Sequence, residues 1–211
     1  MRAHARLSPS SSKRWFACAG SVPLSDGEGS DPSEYSDNGT AMHTVAAQVL
    51  ESLGDAEPYD AVGNTVVVSL PHEPLREVEF TEEMAATVEG YVTAVREIVD
   101  GLVLGVDWFI EQRVEFTRYV VPEDELEGLD EADHQFGTAD LLAFRGDEMI
   151  VIDLKTGFKY VEVENNTQEL FYALGAYDEH SLMRDIKTIR LMVYQPAHGG
   201  MHEWVLPVGE I

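Results

Sequence analysis

Two aspartates in the stretch FGTADLLAFRGDEMIVIDLKTG (136–157) sit in short apolar runs, and a lysine follows the second by two residues. Asp140 enters the first run, Asp153 leaves the second, and the RGD between them suits a hairpin turn. In a hairpin those two points lie at the same end, so the spacing brings two carboxylates together. Close buried carboxylates raise each other's pKa unless a cation intervenes, and converging oxygens are what a hard divalent ion takes. Lys155 shares a face with Asp153 because side chains alternate along a strand. From there its ammonium can orient an attacking water or meet charge building on a phosphate. Asp-x-Lys alone is equally compatible with a surface ion pair at a strand end. The next helical stretch adds Gln168 and Tyr172, four residues apart and so on one face, both able to donate and accept hydrogen bonds. On their own, Tyr172 would also fit an apolar face and Gln168 would fit solvent.

These residues need a frame. LSPSSSKRWFACAG (7–20) reads as a short helix with Ser8 as cap, Pro9 in its first turn and Gly20 at its end. A polar Gly/Ser/Asp loop (25–39) follows. TAMHTVAAQVLESLG reads as a helix from a Thr40 cap to Gly54, with Met42, Val45, Ala46, Val49, Leu50 and Leu53 at helical spacing. NTVVVSL suggests a strand within an insert over 55–80, broken up by Pro71 and Pro74. TEEMAATVEGYVTAVREIVDGLV is the clearest helix, capped by Thr81 with a stripe from Met84 to Val99. DWFIEQRVEF alternates like a strand, and VPEDELEGLDEAD (121–133) reads as an acidic loop. ENNTQELFYALGAYDEH is a helix, KTIRLMVYQP a strand stopped by Pro196, and MHEWVLPV a last strand. The order predicts an α/β fold with a central mixed sheet flanked by helices, in one domain over 1–211. Its core spans about 81–206, preceded by helices over 8–54.

Four lysines face thirty-nine acids, the net charge is −25 and the pI is about 4.4. That excludes a protein gripping nucleic acid by a broad basic surface. Nucleic-acid handling would rest on metal ions and a few cations: Lys13, Arg14, Arg145, Lys155 and Lys159. Cys18 stands alone, so no disulfide forms within the chain and a four-thiolate cluster is excluded; it reads as a small core residue. A single cysteine fits a reducing cytoplasm. No apolar run approaches about 18 residues, and no apolar stretch follows the basic N-terminus as in a secretory signal. His72, His134, His180, His198 and His202 show no ligand spacing. Ser10, Ser11, Ser12, Lys13 and Arg14 could hold a phosphate at a helix start, though capping and solvation explain them equally well.

In order along the chain, GTAD, IDLKTG and QELFY resemble the G-x-x-D, D-x-K and Q-x-x-x-Y signature of the RecB-like branch of the PD-(D/E)XK nucleases. The helix–strand–strand–strand–helix–strand order is similar to that fold's core. His43, in NGTAMHTVAAQ, looks like the histidine metal ligand of RecB and related exonucleases. LSPSSSKRWFACAGS looks like the start of phage-encoded RecB-like proteins. The resemblance implies a restriction-endonuclease-like αβββαβ core with extra N-terminal helices. It implies Asp140 and Asp153 as ligands of Mg²⁺ or Mn²⁺, completed by His43 and by the Leu154 backbone carbonyl. Lys155 would serve catalysis, Gln168 and Tyr172 would position the lysine, water or DNA backbone, and Ser10, Lys13, Arg14 and Lys159 would contact DNA.

The activity so implied is a metal-dependent deoxyribonuclease, an exonuclease in form, in phage DNA recombination or processing in the host cytoplasm. Single strands or duplex ends would be its substrate, with a single-strand-binding or recombination protein or a second copy of the chain as further partners, and no membrane. Two departures stand out. Some relatives hold an iron–sulfur cluster with four cysteines, and here none is expected. Relatives of the phage type continue beyond the last motif, which implies a C-terminal part absent from this chain. The alternative is a catalytically inactive or DNA-mimicking nuclease-fold protein that binds and inhibits a host DNA-binding protein. A mimic has no need of the intact acid–acid–lysine set.

Overall fold

The computed structural model describes residues 5–25, 33–69, 75–130 and 133–211. Pro71, His72, Pro74 and parts of the 25–39 and 121–133 stretches lie outside the described residues. At the N-terminus a 3-10 turn over Pro9–Ser11 runs into α1 (Ser12–Ala17), and α2 (Ser21–Ser25) follows. The single helix expected over this stretch is therefore split. Ser8 caps through its carbonyl, which accepts from Ser11 N–H and the Trp15 indole, and not through its side chain. Cys18, expected in the core, is exposed: it lies in extended backbone just past the end of α1.

α3 (Glu34–Glu51) starts well before the expected Thr40 cap. Ser33 and Ser36 cap each other reciprocally, and the Thr40 hydroxyl bonds back to the Ser36 carbonyl from inside the helix. Gly39 made this turn look like a loop. Its glycine has a spatial reason, since a Cβ there would lie 3.1 Å from Thr156 Oγ1. β1 (Thr65–Val68) and β2 (Arg76–Glu79) form a separate two-stranded antiparallel sheet. α4 (Glu82–Ile98) is capped by Thr81 as expected, with Met84 N–H donating to its hydroxyl. β3 (Trp108–Glu115) leads to α5 (Thr117–Val120) and α6 (Glu123–Leu126). The acidic stretch read as a loop thus holds a single helical turn, its acids at the turn's positive end.

β4 (Phe136–Arg145) and β5 (Glu148–Leu154) form the hairpin, with Gly146 taking a positive φ of 64° at the turn. Asp140 lies in the middle of β4, further into the strand than its place at the start of an apolar run suggested. α7 (Thr167–His180), capped by the Asn166 side chain, crosses to β6 (Thr188–Gln195), which runs parallel to β5; β7 (Gly200–Pro207) returns antiparallel. The five-stranded sheet has the order β3-β4-β5-β6-β7 and is mixed. α3 and α4 cover one face over a core that includes Val45, Val88, Val92, Leu141 and Ile152. α7 covers the other over Ala139, Leu142, Val151, Ala173 and Val193. This is the predicted α/β class.

The regular alternation of the sheet breaks in two neighbouring strands. In β3, Trp108 and Ile110 face α3 and α4, yet Val114, at the same parity, faces α7. In β4, Leu141 and Ala143 face α3 and α4, yet Ala139 faces α7. Strand alternation has slipped by one step in both. The slips coincide: Ile110 pairs with Leu141 and Gln112 with Ala139, so Glu111 and Asp140 are opposite each other where the ladder is interrupted. Glu111 has φ 48°, a left-handed conformation for a non-glycine residue. Such strain costs roughly 1–3 kcal/mol and survives only where surrounding structure over-determines it.

Candidate metal centre

The slip turns Asp140 toward α3, where Met42, Val45 and Ala46 anchor the helix in the core and leave His43 over the sheet. His43 Nδ1 lies 3.1 Å from Asp140 Oδ1, and Leu154 N–H donates to Asp140 Oδ2 at 2.7 Å. Burial pulls the His43 pKa down, but the Asp140 charge and hydrogen bond outweigh it and raise it to about 9. For Asp140, burial pushes up, and His43, with the Leu154 N–H, holds the carboxyl below its usual range.

Asp153 faces α7. Its Oδ2 is 2.7 Å from Lys155 Nζ and its Oδ1 accepts from Gln168 Nε2 at 3.0 Å. Lys155 also donates to Gln168 Oε1 at 3.1 Å, and the Gln168 amide donates to the Tyr172 hydroxyl at 3.0 Å. One glutamine side chain thus ties acid, lysine and tyrosine together. Burial pushes the Asp153 carboxyl up; Lys155 pulls against it and Asp140 adds to it. Burial pulls Lys155 down, and Asp153 more than restores it, so the ammonium stays charged. The segment after Lys155 is pinned by the fully buried Gln195, whose amide exchanges hydrogen bonds with Val161 N–H and C=O, both 2.7 Å. Gly137, the glycine of GTAD, makes room for this cluster: a Cβ there would come within 2.6 Å of both Pro9 and Tyr172.

Three further residues belong here that the sequence did not reveal. Glu111 joins His43 and Asp140 in a set whose ligand atoms lie within 4.8 Å of one another and that could hold a metal ion. Glu111 is exposed at the rim of this set, and the partial desolvation of its carboxyl, then the Asp140 charge, raise it to about 7. Tyr91 of α4 is 2% exposed, its hydroxyl has no hydrogen-bond partner among the described residues, and it lines the same small cavity as His43, Glu111 and Asp140. Glu169 is fully buried with neither carboxylate oxygen hydrogen-bonded among the described residues; burial and then Asp153 push its pKa well up. Nothing in an alternating strand, an apolar stripe or a helix's first turn sets these apart. Among the described residues Asp153 is not in the converging set; its oxygens face Lys155 and Gln168. The donors are imidazole and carboxylate, which suits a divalent ion with oxygen and nitrogen ligands. One cysteine in the chain cannot build a four-thiolate cluster.

The DNA-contact candidates divide. Ser10, Lys13 and Arg14 are exposed beside α7, against which α1 packs through Ser12–Thr167 and Trp15–Phe171 contacts. Lys159 is exposed on the segment following Lys155. Arg145 instead donates to the Ile98 and Asp100 carbonyls at the end of α4, away from the cluster. His134, His180, His198 and His202 bond or stack elsewhere. On the side of Thr156 and Gly157 an open groove of about 990 Å³ is lined by Glu34, Asp37, Glu77, Glu79 and Glu83, among others. No helix among the described residues is long and apolar enough to cross a membrane.

The fold and site define an α/β protein in which a mixed five-stranded sheet carries an imidazole–carboxylate pocket on one face and an Asp–Lys–Gln–Tyr cluster on the other. Residues 4–211 match the family described as protein of unknown function (DUF2800), and the chain belongs to that family. Among solved structures, the crystal structure of SSO0001 is similar at 13% identity with a TM-score of 0.30, covering 58% of this chain. The chain spans about half of that neighbour, 52% of its length, and so slight a likeness carries no argument.

Proposed function

We propose that the protein is a divalent-metal-dependent deoxyribonuclease of the RecB-like PD-(D/E)XK type, hydrolysing phosphodiesters as an exonuclease in phage DNA recombination or processing. The observation that carries this reading is a pair of polar runs that meet at the adjacent residues Asp153 and Leu154: His43 to Asp140 to the Leu154 N–H, and Asp153 through Lys155 and Gln168 to Tyr172. His43 and Asp140 would hold Mg²⁺ or Mn²⁺, and Asp153 with the Leu154 carbonyl would meet it from the Lys155 side. Such a cation supplies Lewis-acid charge at the phosphate and lowers the pKa of water. Lys155, kept protonated by Asp153, brings a fixed positive charge to a phosphate oxygen. Gln168 fixes that ammonium and Asp153 at once. Tyr172 accepts from Gln168, which leaves its own O–H to donate to the DNA backbone. Ser10, Lys13, Arg14 and Lys159 supply the cationic approach.

The test is labelled single- and double-stranded DNA incubated with pure protein and Mn²⁺. Asp153→Asn and Lys155→Met each lower the cleavage rate about 100-fold or more, as loss of one transition-state contact does. Full cleavage in EDTA, or by either variant, overturns the reading. The acidic groove supports a second reading, a non-enzymatic protein that binds a basic host DNA-binding partner. No cleavage by any form, together with tight binding of such a partner, decides for it.

A further inference from the structure

We propose that Glu111 is a direct ligand of the divalent cation, which rests on His43, Glu111 and Asp140 against the Tyr91 hydroxyl, with Asp153 contributing less to its resting affinity. This rests on the reading of the pocket as a divalent-cation site. Three independent observations converge on it. Ligand atoms of His43, Glu111 and Asp140 lie within 4.8 Å of one another. The cavity between them holds about 10 Å³, the space of one water or ion, and the Tyr91 hydroxyl on its wall is buried without a partner among the described residues. The paired slip in β3 and β4 places Ile110 and Glu111, and likewise Asp140 and Leu141, on one face of the sheet. In each strand the apolar residue enters the core and the acid enters the pocket.

The left-handed backbone at Glu111 lies at the slip that brings its carboxylate beside Asp140; an unslipped β3 would place none there. With a cation present, two facing carboxylates no longer repel. The Tyr91 hydroxyl then turns its oxygen to the ion, or donates to water held in the cavity. Asp153 differs: among the described residues it lies outside the converging set, and its Oδ2 already faces the Lys155 ammonium. An imidazole with two carboxylates suits Mn²⁺ better than Mg²⁺, because nitrogen ligands favour the later ion.

The experiment is titration calorimetry of the full chain with MnCl₂ and MgCl₂, paired with thermal melts in EDTA and in Mn²⁺. The native chain takes up Mn²⁺ more tightly than Mg²⁺. E111Q loses about tenfold or more in Mn²⁺ affinity, while D153N stays within about threefold of the native chain. Glu111→Gly relieves the left-handed strain: its melting temperature in EDTA is equal to or above the native value, and the Mn²⁺-induced rise is gone. Mn²⁺ binding by E111Q within about threefold of native, or an equal loss in D153N, overturns the proposal and leaves the nuclease reading standing. Absence of Mn²⁺ uptake by the native chain overturns both.

Discussion

His43 governs how the metal-free protein responds to pH. Its pKa rises from the ordinary 6.5 to about 9 because Asp140 outweighs burial. A group whose folded pKa is raised adds stability that is fully present below its unfolded value and is lost as pH climbs through the folded one. Urea unfolding in EDTA therefore shows falling stability between pH 6.5 and about 9, and His43→Asn flattens that slope. Glu111 and Glu169, both raised by burial, act in the same direction and lose stability as pH rises. A slope that rises over this interval would contradict the His43–Asp140 assignment. Mn²⁺ affinity changes the opposite way with pH, since His43 must release its proton to become a ligand.

Among the elements, α7 does the positioning. It carries Gln168 and Tyr172 one helical turn apart and packs against β3 at a contact that Gly175 leaves room for. A Cβ at Gly175 would lie 2.8 Å from the Glu115 carbonyl oxygen and 3.0 Å from Val114 Cβ, neither of which can swing aside. Gly175→Ala should destabilise the fold by roughly 1–3 kcal/mol, read by denaturant unfolding. It should also lower DNA cleavage, since the tilt moves Gln168 off Lys155 and Asp153. Unchanged stability would mean that β3 yields more easily than its place in the ladder suggests. On the opposite face, α3 presents His43 only because the helix runs from Glu34 through Gly39 past Thr156. A helix beginning at Thr40 would bring His43 within its first turn, where ends fray.

For the molecule as a whole, −25 charges set the terms on which a polyanion is met. The exposed cations near the cluster are few, with Lys13 and Arg14 on α1 beside the N-terminus of α7. On the nuclease reading, DNA binding should fall as salt rises, with a slope set by those few cations. Replacing Lys13 and Arg14 together by glutamine should reduce the slope of log K against log salt by about two, measured by fluorescence anisotropy on single-stranded DNA. An unchanged slope would place the DNA elsewhere on the surface. On the nuclease reading, the acidic groove at Thr156 would repel DNA and the strand would approach from the α1 and α7 side.

Local sequence determined the long helices, the strands of the central sheet and the cluster on the α7 face. Alternation and capping mark α4, β4, β5 and α7, and the D-x-K and Q-x-x-x-Y spacings place Asp153, Lys155, Gln168 and Tyr172 on facing sides of a strand and a helix. These signals are local, within a few residues of each contact's own element. The other half of the site was decided by tertiary structure. Glu111 looks like any outward residue of an alternating strand, and Tyr91 like one more member of an apolar stripe. They meet His43 and Asp140 because two paired strands slip at the same rung, and a slip shared between paired strands leaves no trace in either strand's own pattern.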